Sequence, residues 1–473
     1  MDTGGSDSYD SQDVDMLQNK GQESKTARRS RLLKQLGFAI IASLGQFSLG
    51  SSLNWPSPAL SDLALNNLTW VGTELVLTPA QMEMTGSLNA VGCLLGSWTS
   101  GAMVTRLGRR RCLQIVVVPF LIGFVALALA PNSHVLLVAR LLPGFGGGFS
   151  NVAASVYIAE IVDTKVRGVM GIFPSLALMF GGLFTVCVGA IVRWYHMTMV
   201  CAISPCILLI GTFFLPDSPS FLVVRGRKLE AVTVLRKLRG LHANVRSEIE
   251  IIEMKNSSHV DGWQKLLNWY IGKRVAIVIM TFAFQNFCGN YLFTVQTARV
   301  LRKTGASMDE DSGTIIVTAA RIIGMLVSIC FVDRMGRRAV LIASHAISSV
   351  FLIILGVYVY LVAEAPPEDT TFSKLTWVPL ACVIMIMFGI NLGAQLVPFL
   401  LASEYFPTSV RGQSFTVCYA SGMVFSFVVL QFYFSAMDVF TQAGLYWFCA
   451  AVCFVAVVFT LIFVKETKGE NIG

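Results

Sequence analysis

VTRLGRR at 104–110 returns as VDRMGRR at 332–338, and this repeated basic turn sets the plan of the chain. Each copy joins two apolar runs of helix length. A second pair keeps the same order: six residues separate Glu160 from Arg167-Gly168, and six separate Glu404 from Arg411-Gly412. Two motifs repeated in one order imply a duplicated unit. Between the copies lies a charged stretch, 217–273, which divides the apolar runs into two equal sets.

Hydrophobic residues make up 54% of the 473 residues and charged ones only 14%, too few polar groups to cover a soluble protein of this size. A bilayer is crossed by about 20 apolar residues in a helix. Runs of that kind predict spans at 35–55, 83–104, 112–130, 135–158, 169–192 and 197–215, then at 274–298, 312–332, 338–362, 376–401, 413–434 and 442–464. The expected class is therefore an all-α membrane protein with twelve transmembrane helices in two six-helix bundles around a midplane site. The expected divisions are a disordered cytoplasmic tail at 1–34, bundles at 35–216 and 274–464, a cytoplasmic amphipathic-helix linker at 217–273 and a tail at 465–473. In the linker, Leu229, Val232, Leu235 and Leu238 recur every three residues and predict one buried helix face.

The net charge of +8 does not form the single patch that nucleic acid requires. Basic residues alternate from loop to loop, at Arg28–Lys34, Arg106–Arg111, Lys165–Arg167 and Arg334–Arg338, whereas 57–82 and 131–134 have none. By the positive-inside rule both termini are expected in the cytoplasm. Asn67-Leu68-Thr69 is then a glycosylation sequon in the first outer loop. All 11 Cys fall in or beside apolar runs, so no disulfide framework is expected. Five scattered His show no metal-ligand spacing, and no nucleophile–base pair is evident. Neither an enzyme, a cofactor nor a metal is expected. GFGGG at 144–148 lies inside an apolar run with no preceding strand, which favours close helix packing over phosphate binding.

RLGRR at 106–110, ARLLPGFGGG at 139–148, YIAEIVDTKVRG at 157–168, LPDSPSFL at 215–222, VDRMGRR, SEYFPTSVRG at 403–412 and KETKG at 465–469 occur together in one order. In this combination the chain resembles the sugar porters of the major facilitator superfamily, and NWPSPAL at 54–60 resembles the insect facilitated trehalose or glucose carriers among them. The resemblance implies a cytoplasmic latch in which Glu160, Asp333 and Glu404 partner Arg106, Arg110, Arg167, Arg334, Arg338 and Arg411. Thr105 stands where the family's first turn carries an Asp, so the amino-terminal latch is expected to be the weaker, unless it is compensated elsewhere.

The same resemblance places a substrate site at Ser175, Gln285, Asn286, Tyr291, Asn391 and Phe399. Amides there would donate to and accept from hydroxyls, and Phe399 would stack on a ring. Ser175 replaces a usual Gln, Tyr291 a usual Asn and Gly422 another Asn, which implies a wider and more apolar pocket than a glucose site. The first span, at LGQFSLGSSLNW, lacks the acid of proton-coupled relatives, which favours facilitated diffusion. Arg140 inside the fourth span has either a structural or a functional role. The expected activity is uniport of a sugar, trehalose or a hexose, across a plasma membrane, with no obligatory protein partner. The alternatives are a transporter-like sugar sensor and a carrier of a non-sugar amphipathic metabolite.

Overall fold

A computed structural model describes residues 25–163, 166, 170–240, 245–257, 269–303, 308–364, 375–406 and 410–467. The first membrane segment is α1 (Lys25–Asn54) continued after a break at Trp55 by α2 (Pro56–Leu65). It is followed by α3 (Pro79–Leu107), then α4 (Arg109–Ile115) with α5 (Val117–Ala128), α6 (Ser133–Ile161), α7 (Phe173–Gly189), and α8 (Trp194–Cys201) with α9 (Ile203–Thr212). The second set is α13 (Trp269–Phe287) with α14 (Asn290–Lys303), α15 (Glu310–Met335), α16 (Arg337–Glu364), α17 (Val378–Leu392) with α18 (Val397–Glu404), α19 (Arg411–Gln431) and α20 (Tyr433–Phe463). Between the sets lie three short helices, α10 (Pro219–Val224), α11 (Lys228–Arg239) and α12 (Val245–Ser257).

The helix starts follow local chemistry. Thr78 and Gln81 cap α3 reciprocally, with the Gln81 amide donating to Thr78 Oγ1 at 3.3 Å and the Thr78 amide to Gln81 Oε1 at 3.0 Å. Asn132 Oδ1 accepts from the Val135 amide at 3.0 Å to open α6.

Ten described helical segments are long and apolar enough to cross a membrane. The two remaining spans of the duplicated plan are α7, apolar but 17 residues long, and α3, which is long but diluted by Gly, Ser and Thr. Those small residues serve packing. A Cβ on Gly96 would lie 2.0 Å from the Phe145 carbonyl oxygen, and one on Gly148 would lie 1.9 Å from that of Cys93. The backbones of α3 and α6 therefore touch, as GFGGG implied, and dispersion between them replaces a hydrophobic drive that lipid cannot supply.

Two cores result, meeting at Phe399 and Phe415, which pack on both. One gathers Trp55, Phe120, Phe124, Phe149, Tyr157 and Trp194 in the amino-terminal bundle. The other gathers Phe282, Phe293, Phe406 and Tyr446 in the carboxy-terminal bundle. Leu222, Ala231, Leu235, Val245 and Ile249 form a small third core within the linker. Its helix α11 buries Ala231, Leu235 and Leu238 while Leu229 is 77% exposed, so the expected three-residue stripe is corrected to the i, i+4, i+7 face of an α-helix. The first helix also begins at Lys25, inside the stretch expected to be a disordered tail. Arg31 contributes to this extension by pairing with Asp163 at 3.5 Å.

The repeated basic turns are superposable in detail. Gly108 has φ 88° and ψ 157°, and Gly336 has φ 92° and ψ 159°. Only glycine occupies that region without strain. A Cβ at Gly108 would meet the Phe221 ring at 2.8 Å, and one at Gly336 would meet the Glu466 carboxylate at 2.3 Å. Gly336→Ala is expected to lower the melting temperature of the detergent-purified protein by the equivalent of about 1–3 kcal/mol. Gly101→Ala, at an exposed helical position with nothing within 4 Å, is the control and should leave melting unchanged or raise it. Equal effects of the two substitutions would show that the turn is not conformationally restricted.

Candidate functional site

Each glycine turn aims the next arginine back at the end of the fourth helix of its own bundle. Arg109 donates to Glu160 Oε1 at 2.8 Å and to the Val104 carbonyl at 3.3 Å. Arg337 repeats this with Glu404 Oε1 at 3.0 Å and the Val332 carbonyl at 3.4 Å. The second oxygen of each glutamate accepts a hydroxyl, from Ser218 in one bundle and Thr467 in the other. Thus the LPDSP and KETKG motifs complete the same hub in the two halves.

The geometry corrects the expected partners. Glu160 and Glu404 are bound by Arg109 and Arg337, the first arginines after each glycine, rather than by Arg106 and Arg110 or by Arg334 and Arg338. Arg110 instead donates to the carbonyls of Thr212 and Phe213, both at 3.0 Å, at the end of α9. Arg338 donates likewise to the Leu461 carbonyl at the end of α20. Arg106 is exposed, and its carbonyl accepts from Arg225. Arg334 is also exposed. Arg167 and the Arg411 side chain lie outside the described residues. Among the described residues, every ion pair at the ends that carry the two basic turns stays on one side of the bundle interface.

The missing acid at Thr105 does not lengthen its hub. Asp333 reaches Arg337 at 3.0 Å but is 78% exposed, where water screens the pair and leaves it little energy. The carboxy-terminal hub gains more from Glu466, whose carboxylate accepts from the Arg337 and Arg338 amides at 2.9 and 3.1 Å.

At mid-depth two broken helices meet. The seventh segment is interrupted between α13 and α14 at Gly289, with φ 95°, and the tenth between α17 and α18 at Gly393. Gln285 donates to the Gln395 side chain at 3.1 Å and to its carbonyl at 3.3 Å, and Asn290 donates to Gln395 Oε1 at 2.6 Å. Asn286 points instead toward α19, accepting from Ser426 at 2.5 Å, and Tyr291 is half-buried at the start of α14. Asn391 folds its amide onto the Met387 carbonyl at 2.8 Å. The side-chain oxygens of Asn290 and Asn391 are buried with no donor.

Phe399 is half-buried among Phe282, Phe415 and Tyr419, with centroid separations of 5.1, 6.5 and 6.0 Å. A Cβ at Gly422 would lie 2.9 Å from the Phe282 ring. The expected widening is corrected at that point, because Phe282 fills the space an Asn would take. Ser175 is half-buried on α7, next to Leu176, which packs on the carboxy-terminal core.

Sequence reasoning missed Gln395 and Asn290. Gln395 follows the helix-breaking Gly393 in GINLGAQ, and Asn290 follows Gly289, one residue before the position where an amide was sought. It also missed the contacts across the interface. Asn54 accepts from Arg321 at 3.1 Å, Ser87 donates to Gln431 at 2.7 Å, and Arg299 reaches the Met82 sulfur at 3.0 Å. Met82, Ser87, Arg299 and Gln431 lie at the ends of their helices away from the two basic turns, so among the described residues the bundles are joined at that end, while the ion pairs at the opposite end each stay within one half.

A family model described as "Sugar (and other) transporter" matches residues 21–472. The chain belongs to this family. It is 28% identical over 439 residues to a facilitated trehalose transporter, Tret1, of Drosophila willistoni, covering 92% of this chain and 50% of that protein. It is 29% identical over 440 residues to the Drosophila mojavensis Tret1, again with 92% and 50% coverage. The chain thus spans about half the length of these curated relatives. Among solved structures, the proton:xylose symporter XylE bound to 6-bromo-6-deoxy-D-glucose aligns with a TM-score of 0.75 at 22% identity, over 93% of this chain and 97% of that one. An inward open conformation of XylE from E. coli gives 0.74 at 22% identity, over 92% and 97%. These likenesses establish the twelve-helix major facilitator fold.

In this family member the two hubs are separable by mutation. Glu160→Gln and Glu404→Gln should each cost about 1–3 kcal/mol of stability, because each leaves a mostly buried guanidinium short of an acceptor. Thr105→Asp and Asp333→Thr should each change stability by less than about 1 kcal/mol. Thermal melting of the four variants checks this, and a Thr105→Asp gain matching the Glu160→Gln loss would contradict it.

Proposed function

We propose that this chain is a facilitative carrier of a sugar, a hexose or a disaccharide such as trehalose, working by alternating access. The observation that carries this reading is the amide set at the two helix breaks. Gln285, Asn290 and Gln395 orient one another, while Asn290 and Asn391 keep buried acceptor oxygens that meet no donor among the described residues. A buried acceptor without a partner costs about 1–3 kcal/mol, and a sugar hydroxyl is the donor that would recover it. Ser175, Asn286, Tyr291 and Phe399 complete the proposed site.

Facilitated movement is favoured over proton coupling by the surroundings of Arg140. Its guanidinium donates to the Thr85 carbonyl at 2.7 Å and to Ser52, at 2.9 Å to the carbonyl and 3.2 Å to Oγ. It also lies 5.0 Å over the Trp55 ring. Among the described residues no carboxylate pairs with it, so this buried network offers no group that gains and loses a proton near neutral pH.

Glu160 and Glu404 in this reading are latch acids that exchange partners as the bundles rock, with Arg167 and Arg411 as the candidates from the opposite side. Both termini and the 217–273 linker would be cytoplasmic, Asn67 glycosylated on the outer side, and the plasma membrane the site of action. The Drosophila relatives are named for facilitated trehalose transport, which supports a sugar as cargo.

Labelled glucose or trehalose should enter liposomes containing the purified protein saturably and at a rate indifferent to an imposed pH gradient. Gln285→Ala should lower that uptake by roughly tenfold or more with melting little changed. Uptake accelerated by an inward proton gradient would replace the facilitated mechanism with symport, and unchanged flux in Gln285→Ala would remove the amide set from the path.

A further inference from the structure

Two arginines lie at membrane depth in helix interiors, and they are placed very differently. Arg140 is tied by three hydrogen bonds and an aromatic ring, all inside the amino-terminal bundle, so rocking leaves its partners in place. Arg321, in the middle of α15, is 5% exposed and has one hydrogen bond, from Nη1 to Asn54 Oδ1 at 3.1 Å. That bond crosses from one bundle to the other. Arg321 Nε is buried with no acceptor, and no carboxylate pairs with Arg321 among the described residues.

A full charge at this depth is costly unless it meets an anion or a polar cavity. Among the described residues none gives Arg321 a counter-charge. One turn along α15, a Cβ on Gly324 would lie 3.3 Å from the Asn391 Cβ. Arg321 therefore borders the proposed substrate site on the side facing Asn54 of α1. When the bundles part on the outer side, the Asn54 bond must break. The guanidinium then faces the opened cavity with a planar fork of donors and no protein acceptor.

We propose that the cargo includes carbohydrates bearing a carboxylate, sugar acids, whose anionic group docks on Arg321 while their hydroxyls meet the acceptor oxygens of Asn290 and Asn391. Arginine binds a carboxylate through two parallel charge-assisted bonds, which compensates for the loss of Asn54 in the outward-facing state. This assignment rests on the sugar-carrier reading above and extends its substrate class from neutral sugars to sugar acids. It also makes carriage electrogenic, since a uniporter moving a monoanion moves one charge and a neutral sugar moves none.

The test uses the full chain in liposomes, with labelled glucuronate, glucose and trehalose compared at one pH under imposed potassium diffusion potentials. Glucuronate uptake should be saturable and faster when the liposome interior is positive, and glucuronate should raise the melting temperature of the detergent-purified protein. Arg321→Gln should lose glucuronate uptake by at least about tenfold and lose the stabilisation with it. Should Arg321→Gln not fold, Arg321→Lys, which keeps the charge without the fork, should raise the KM for glucuronate by roughly tenfold. Glucose or trehalose uptake from protein that neither moves nor is stabilised by glucuronate would overturn the assignment and leave the carrier reading standing. Glucuronate stabilisation that depends on Arg321, with no sugar of any kind transported, would uphold the anion site and overturn carriage. Neither transport nor stabilisation by any of the three would overturn both.

Discussion

A positive-φ glycine followed by an arginine that clasps a glutamate is the contact on which both halves of this protein depend. The turn at Gly108 brings Arg109 to the end of α6, where it binds Glu160 while holding the last turn of α3 through the Val104 carbonyl. Gly336, Arg337, Glu404 and Val332 do the same for α15, α16 and α18. One guanidinium thus ties three membrane segments, and the second glutamate oxygen ties in a fourth piece of chain through Ser218 or Thr467. Charge-assisted bonds in a half-buried setting are strong enough to make this end of each bundle stiff. Stiff halves are what a rocking mechanism requires, because a deformable bundle would dissipate the motion instead of transmitting it across the membrane.

Between those stiff halves the polar chemistry is concentrated where helices break. Gly289 and Gly393 interrupt the seventh and tenth segments at one level, and Gln395 in the second gap receives both Gln285 and Asn290 from beside the first. Polar groups survive at this depth only when partnered or facing a cavity. Asn290, Asn391 and Arg321 each retain an atom with no partner among the described residues, and those atoms gather on the carboxy-terminal side of the interface. The amino-terminal side contributes Asn54, which accepts from Arg321, and the core against which Phe399 packs.

Much of this was legible from the repeated motifs, because a tight basic turn between two apolar runs leaves few topologies open. The packing role of GFGGG was equally plain, since glycines in an apolar helix let backbones touch. What could not be read was the choice among neighbouring residues. RLGRR offers three arginines to one glutamate, and only the turn conformation selects Arg109. Tyr291 stands where the resemblance places an Asn, and the amide that meets Gln395 is its neighbour Asn290, just after the Gly289 break. Gln395 was hidden, as residues in an unwound gap obey neither helical nor strand periodicity. Arg321 is masked by a hydropathic surrounding, and its significance depends on Asn54, 267 positions away in sequence. The apparent three-residue repeat of the linker misled because Leu229 sits outside the buried face that Ala231 continues.

The central claim is that two rigid bundles exchange contact at their outer ends for contact at their cytoplasmic ends. Spin-label distances would test it, after Cys206 and Cys330, the exposed native cysteines, are replaced by serine. One label pair would sit at Leu65 and Val439 on the outer side, another at Thr105 and Met335 on the cytoplasmic side; all four positions are exposed. The account predicts two populations for each pair in liposomes, with the longer outer distance accompanying the shorter cytoplasmic one and sugar shifting the balance between them. A single population at each end, unmoved by sugar, would contradict it.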